Sequence, residues 1–303
     1  MAKNSQELVT VLLEWIENRL GESLSVEDIT KKSGYTKWHM QRIFKDVTGI
    51  SLGVYTRRRR LSKAAVALRM TSRSIIDIGM QYHFDSQPAF TRAFKNQFNE
   101  TPARYRHMDN WHTAGIQPPY RISGSEIPRH EIVRLDNLKL VGHIASYHCH
   151  LENVSEYREK IRSDFWYLLL EGAKKVPPVI YGLHEVKAST TRDDEQQVFY
   201  SAAVSEEYLS LDLNRHGDIV REEGDYARFT YQGDLKGLQN FILLLYSTCM
   251  PLAGLVRRQG QDIECYYTHQ GNWHDMLPYE IHCDYFIPVS LTQSSMENAD
   301  LAV

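Results

Sequence analysis

The chain of 303 residues has no apolar run approaching the ~20 residues that a membrane helix needs. Its opening segment, MAKNSQELVTVLLEWIENRL, starts polar and carries Glu14 and Glu17 inside its apolar part. It has no small-residue cleavage site either, so it reads as a structural helix and not as a signal peptide. Only four cysteines occur, Cys149, Cys249, Cys265 and Cys283, and none belongs to a CxxC pair. That excludes a disulfide framework and points to reduced, buried thiols in a cytoplasmic protein. There is no GxSxG, no phosphate-binding loop and no GxGxxG, which removes the usual nucleophile elbow, nucleotide loop and dinucleotide fingerprint. His148 and His150 would share one face of a strand, but a third and fourth ligand are not evident, so no metal is expected. The carboxylates Asp193, Asp194 and Glu195 fall in a polar loop and read as solvated. Neither catalytic residues nor a cofactor are expected, and the chain does not read as an enzyme.

What is present begins with an asymmetry hidden in the net charge of −3. Residues 1–112 carry 18 Lys and Arg against 11 Asp and Glu, and the remainder carries 17 against 27. The two parts therefore stand at +7 and −10. A basic part followed by an acidic one predicts two domains with different partners, and a basic domain is compatible with nucleic acid. The stretch GIQPPYRISGSEIPRH, rich in Pro, Gly and Ser, marks the change. The expected division is a domain over 1–112, a linker over 113–124, a second domain over 125–290 and a polar tail over 291–303.

Residues 1–108 read as all helix. An apolar stripe at Leu8, Leu12, Trp15 and Ile16 predicts a helix over 6–20, with Gly21 as its stop. Ser25 and Asp28 form a capping box for a short helix that Gly34 ends. A second runs over 37–47 to Gly49, and residues 51–70 form one long helix. Ser74 opens another short helix, a sixth spans 86–98, and Thr101-Pro102 opens a seventh. Within this stretch Arg42-Ile43-Phe44-Lys45 recurs 50 residues later as Arg92-Ala93-Phe94-Lys95. Ahead of each turn the offset is 49, pairing Asp28-Ile29 with Asp77-Ile78. A short helix, a turn and a second helix, present twice, outline two helix-turn-helix units.

On the helix beginning at Lys37, Met40, Ile43, Phe44 and Val47 form a core stripe, while Trp38, Gln41, Arg42 and Lys45 share the opposite face. Taken alone, such a polar face is most often simply solvated. Trp38 is its anomaly, because a large aromatic on a wet face usually contacts something. Moved by the repeat, the face becomes Pro88, Thr91, Arg92 and Lys95. Arg can donate two hydrogen bonds to guanine and Gln can pair with adenine. Lys and Thr suit phosphate oxygens. The long helix between the units spans ~30 Å, near the ~34 Å that separates successive major-groove segments. Four consecutive arginines, 57–60, point all round that helix, so phosphate contact and internal ion pairing are both open to them.

Read together, WHMQRIFKDVTG, VYTRRRRLSKAAVALR and DSQPAFTRAFKNQFNETPARYR resemble the DNA-binding domain of the AraC/XylS family of bacterial transcription activators. The phase FxxxFKxxFxxTPxxYR is specific to that family, and the likeness covers residues 6–107. The nearest subgroup governs multiple antibiotic resistance and the superoxide response. There, the first recognition helix reads bases with residues matching Trp38, Gln41 and Arg42, and the second with residues matching Gln87, Pro88, Thr91 and Arg92. The resemblance implies double-stranded DNA bound by a monomer across two adjacent major-groove segments, and contact with RNA polymerase. Pro88 and Ala89 depart from side chains that can hydrogen-bond, so the first helix is expected to supply most of the specificity.

After Trp111 strand-like runs dominate, at 131–135, 140–148, 197–204, 226–232, 263–267 and 281–289. Helices are expected over 154–170 and 235–249, giving an α+β domain. Residues 122–290 resemble the GyrI-like effector-binding domain, a duplicated β-α-β-β unit whose halves enclose a cleft. The position matching its acidic residue is Glu264, with Trp166, Tyr181 and Tyr226 as candidate aromatic walls. The resemblance implies a small amphipathic or lipophilic effector, and a carboxylate among aromatic faces suits a cation. From the residues alone, Glu264 could equally face water, and the aromatics could be core. Two other readings compete with an activator: an origin-binding or nucleoid architectural protein, and a binder that sequesters small molecules.

Overall fold

The computed structural model describes residues 2–70, 73–120, 127–149, 177–188, 196–205, 218–268 and 280–291, with the single positions 160, 164 and 208. The helix expected over 154–170 lies outside the described residues but for two positions. So do Trp166, His150, the carboxylates at 193–195 and the tail after 291.

The first unit is helical: α1 (Ala2–Glu17), α2 (Val26–Ser33), α3 (Lys37–Thr48), α4 (Leu52–Met70), α5 (Ile75–Gln81), α6 (Gln87–Phe98) and α7 (Pro102–Arg106). Its short helices are defined by side-chain caps. Ser25, Thr36, Ser74, Ser86 and Thr101 each accept a backbone N–H of the helix that follows, satisfying groups that a helix start leaves open. Gly34 turns the chain from α2 into α3 at φ 72°, a conformation that costs a side chain but not glycine. Helix α1 begins at Ala2, ahead of the expected residue 6, and stops at Glu17, three residues short of the expected end at residue 20. Leu20 is still fully buried, carried by the turn that follows.

Helix α4 serves two cores. Its Leu52 and Tyr55 pack with Val9, Leu12, Ile16, Met40 and Phe44. Further along, Leu61, Ala64, Ala65 and Leu68 pack with Ile78, Phe90, Phe94 and Tyr105. Different faces are buried at its two ends, which is why no single apolar stripe runs along it.

The second unit is an antiparallel sheet: β1 (Trp111–His112), β2 (His130–Cys149), β3 (Val179–Ala188), β4 (Gln196–Ser205), β5 (Asp218–Gly233), β6 (Val256–Arg257), β7 (Asp262–Tyr267) and β8 (Ile281–Ser290). The order is β1-β6-β8-β5-β2-β4-β3-β7, and β7 also pairs with β8. Hydrogen bonding therefore closes six of the strands into a ring, which removes their free edges. Helix α8 (Leu235–Leu244) continues as a π-turn (Leu245–Cys249) and a last helical turn, α9 (Met250–Leu252).

Several expectations are corrected here. The two strands read at 131–135 and 140–148 are one strand, β2. Asp136-Asn137 is a bulge in its pairing with β5, and Asn137 sits at φ 56°. Strand β3 was not expected, because Gly182 weakens its strand signal. The helix over 235–249 is not uniform. Pro251 has no N–H and its ring would crowd the carbonyl four residues back, and the helix widens into the π-turn just before it.

The two units share a core. Strand β1 pairs with β6, the Thr113 hydroxyl donates to the Leu255 carbonyl at 2.8 Å, and one apolar cluster joins Phe94, Tyr105 and Trp111 to Tyr246, Tyr266 and Tyr285. Residues 113–120 run back along the helical unit. The Gln117 N–H donates to Ser62 Oγ at 2.9 Å, and Tyr120 Oη donates to the Val47 carbonyl at 2.7 Å.

Candidate nucleic-acid interface and buried carboxylate site

Helices α3 and α6 have 12 residues each, begin at side-chain caps and end in left-handed residues, Gly49 and Asn99. Each fixes its inward face with buried aromatics: Phe44 in α3, and Phe90, Phe94 and Phe98 in α6. The outward residues follow from that. Trp38, Gln41, Arg42 and Lys45 are all exposed on α3, and Gln87, Pro88, Arg92 and Lys95 are exposed on α6, with Thr91 half-buried. Trp38 is 69 % exposed, so packing within the chain does not account for it. The Arg42 guanidinium lies 5.1 Å from the centre of the Trp38 ring and 4.0 Å from Asp46. His39 is half-buried, its ring 5.1 Å from that of Tyr35. Gln97, the one polar member of the α6 core stripe, is used structurally. Its amide donates to the carbonyls of Arg58 and Gly115 at 3.1 and 2.9 Å.

The four arginines of α4 divide between two roles. Arg59 is buried and forms a two-point pair with Glu17 at 2.8 Å. Arg60 donates to the Leu20 and Glu22 carbonyls. Arg57 and Arg58 are exposed. An internal anchor and a basic surface thus lie on one turn.

In the sheet, Glu264 does not face water. It is fully buried, and its Oε2 accepts from the hydroxyls of Tyr200 and Tyr266 at 2.9 Å each. Its other oxygen lies 3.9 Å from His184 Nε2. Gly182 makes this possible: a Cβ there would come within 2.2 Å of the Tyr200 hydroxyl and 2.5 Å of Glu264 Oε2. The hydroxyl of Tyr285 lies 2.7 Å from His184 Nε2 and donates to Asp262 at 2.8 Å. Asp262 also accepts from Tyr246 and from Arg257. The π-turn carries Tyr246 into this network, and the Tyr246 ring stacks on Trp111 with centroids 5.3 Å apart and 10° between planes. Trp111 Nε1 donates to Tyr105 Oη at 2.9 Å. Burial pushes the Tyr105 phenol up to about 12, so it remains a neutral donor and acceptor.

The structure does not gather the expected effector residues at one place. Tyr181 pairs with Cys265, whereas Glu264 pairs with Gly182, and successive side chains on a strand point to opposite faces. Tyr181 and Tyr226 belong to a second cluster with Leu140, Leu183, Ile263 and Phe286, across the sheet from Glu264. There the Tyr226 hydroxyl donates to Glu222 at 2.7 Å, with Arg258 4.8 Å from its ring centre. The partners that Glu264 does have, Tyr200, Tyr266 and His184, were not singled out from the sequence. Only Tyr266 could have been found by counting, since it lies two residues along the same strand. The thiols of Cys249, Cys265 and Cys283 are buried, and among the described residues they form no disulfide.

A helix-turn-helix domain matches residues 29–108, and a GyrI-like small molecule binding domain matches residues 128–290. The chain is 45 % identical over 282 residues to the transcriptional regulator Rob of Salmonella typhimurium, covering 93 % of this chain and 98 % of Rob. The same figures hold for the right origin-binding protein of Escherichia coli. Its helical part is 46 % identical to the regulatory protein SoxS of Salmonella typhimurium over 102 residues, 34 % of this chain and 95 % of SoxS.

Proposed function

Since the chain belongs to the AraC-type regulator family that includes Rob, with a helix-turn-helix domain followed by a GyrI-like domain, we propose that it is a sequence-specific DNA-binding transcription activator whose second domain senses a small amphipathic or lipophilic molecule. On this reading a seven-helix double helix-turn-helix domain (1–112) leads through a linker (113–124) to a duplicated β-α-β-β effector domain (125–290) and a polar tail (291–303). The protein acts in the cytoplasm as a monomer on DNA, recruits RNA polymerase and performs no catalysis.

One observation carries the reading: two capped helices of equal length present Arg and Lys at matching outward positions, Arg42 with Lys45 and Arg92 with Lys95. The 19 residues of α4 set them apart by a rise of about 28 Å, close to the ~34 Å of a DNA turn. Trp38, Gln41 and Arg42 read base edges from α3. Gln87, Pro88, Thr91 and Arg92 meet the second groove segment, where Pro88 leaves less for base readout. Lys45, Lys95, Arg57 and Arg58 face phosphates. In the effector domain Glu264 is the acidic group, with Tyr200 and Tyr266 as its immediate neighbours.

The test is fluorescence anisotropy with a promoter duplex and a random duplex across a salt series. An activator binds the promoter at least about 1000-fold more tightly than random DNA at physiological salt. A ratio near one overturns this reading. It would favour the architectural alternative, which the name of the Escherichia coli relative suggests.

A further inference from the structure

The second helix-turn-helix repeats the first at an offset of 49 up to its turn and of 50 beyond it. The first of these offsets puts His83 where the first unit has Gly34. Both residues are left-handed, at φ 60° and 72°, a conformation that suits glycine and that a side chain adopts only at a steric cost. Two backbone hydrogen bonds hold His83 there. Its N–H donates to the Met80 carbonyl at 2.9 Å, and the Phe84 N–H donates to the Gly79 carbonyl at 3.0 Å. This is a helix end at which glycine is the usual residue, so a histidine there calls for a use of its ring.

The ring crosses to the first helix-turn-helix. His83 Nε2 lies 3.1 Å from the carbonyl of Gly21, 62 residues away. A carbonyl only accepts, so Nε2 carries the proton. Gly21 belongs to the turn between α1 and α2, and its neighbours are held as well. The Arg60 guanidinium of α4 donates to the carbonyls of Leu20 and Glu22 at 3.1 and 3.0 Å. Three successive carbonyls are therefore gripped, two by the connecting helix and one by the second helix-turn-helix. Among the described residues, no other hydrogen bond or ion pair passes directly between residues 2–50 and residues 73–108. The two helix-turn-helix units also keep separate apolar cores, Met40 and Phe44 in one and Phe90 and Phe94 in the other. Between them lies a cleft of about 430 Å³, with Leu24 and Ile29 on one side and Phe84, Ala89 and Arg92 on the other.

We infer that His83 is a clasp that fixes the distance and orientation between α3 and α6, and with them the spacing of the two DNA segments that the chain reads together. A helix as long as α4 is seldom straight, so a second point of contact is needed to fix the parts carried at its two ends. His83 supplies that point from the turn just ahead of α6. It is a positioning residue, acting on DNA through the placement of α3 and α6. The consequence for DNA rests on the DNA-binding reading above; the clasp itself does not.

Two readouts test it, one of them without DNA. Pulsed electron resonance measures the distance between spin labels at Asp46→Cys and Asn96→Cys, exposed positions on α3 and α6, in the full chain carrying Cys149→Ser. Anisotropy then uses a duplex that the wild-type chain selects from a randomised library, and derivatives of it lengthened or shortened by one base pair between the two protected segments. The variants are His83→Gly, which suits the left-handed backbone and keeps the helix end, and His83→Gln, whose amide nitrogen lies as many bonds from the backbone as Nε2. The wild type and His83→Gln should give a narrow distance distribution, and His83→Gly a broad one. The wild type and His83→Gln should bind the altered spacings at least about tenfold more weakly than the selected duplex, and His83→Gly only about threefold more weakly. The inference is overturned by a distribution that His83→Gly leaves narrow, by an unchanged spacing penalty in that variant, or by failure of His83→Gln to restore either. A uniform loss on every duplex at unchanged distances would make His83 a phosphate contact and equally overturns it. Failure of the DNA-binding reading shows separately, as a wild-type chain that selects no duplex while the distances still respond to His83→Gly. That result upholds the clasp and overturns the spacing claim.

Discussion

At the scale of single residues, the proposed reading of DNA makes the contrast between Arg42 and Arg92 the one with consequences. On that proposal Arg42, held over the Trp38 ring, loses less conformational freedom when its planar fork meets a base. The position matching Trp38 in the second unit is Pro88, which offers no ring and no N–H. Arg42→Ala should therefore cost about 1–3 kcal/mol of specific binding and relax the base preference at one position. Arg92→Ala should cost less, and anisotropy titrations against single-base operator variants decide the order. A larger loss at Arg92 would reverse the ranking of the two helices. A second prediction concerns Gly182, whose missing Cβ leaves room for the Tyr200–Glu264 hydrogen bond. Gly182→Ala should destabilise by about 1–3 kcal/mol as an overpacked site, read as a lowered midpoint in urea unfolding. The outward face of α3 was legible because one helix contains it and the repeat supplies a second copy. The surroundings of Glu264 were not, since His184, Tyr200 and Tyr266 come from three different strands and only the register brings them together.

At the scale of elements, cap chemistry made several helices of the first unit readable. Ser25, Ser74 and Thr101 open helices in the sequence and the structure uses each as a cap, while Thr36 and Ser86 serve in the same way without having been singled out. The repeat extends to the helix ends, where Asn99 takes the left-handed position that Gly49 takes in the first copy, at φ 60° against 77°. Asn99→Gly should therefore be neutral or slightly stabilising, and Asn99→Ala should destabilise by about 1 kcal/mol, the steric cost of that backbone region. Thermal unfolding of the two variants side by side checks the sign. The sheet was less readable for local reasons. Asp136-Asn137 carries the composition of a turn, yet β2 continues through it as a bulge, because both flanks pair with β5. The π-turn at Leu245–Cys249 was invisible because nothing in the apolar pattern distinguishes a widened turn from an ordinary one.

At the scale of the whole molecule, the charge asymmetry and the Pro/Gly-rich stretch correctly implied two units of different character. They gave no hint of how tightly the units are joined, since that depends on partners far apart in sequence. Trp111 is the centre of the junction. It is 5 % exposed, stacks on Tyr246, donates to Tyr105 and forms the edge strand that pairs with β6. Tyr105 in turn packs on Phe94 and Phe98 of α6, with ring centres 5.3 and 5.2 Å away. A single apolar and hydrogen-bonded path therefore runs from the Asp262 network through Tyr246, Trp111 and Tyr105 to α6. Units that share a core unfold together, so the wild-type chain should melt in one transition. Trp111→Ala removes the ring at the centre of that core and should cost about 3–5 kcal/mol. The loss falls on the contact between the units more than on either unit alone, so calorimetry of the variant should resolve two transitions. A single transition merely shifted to lower temperature would instead place Trp111 within one unit's own core, and the path would carry no coupling between the sheet and α6.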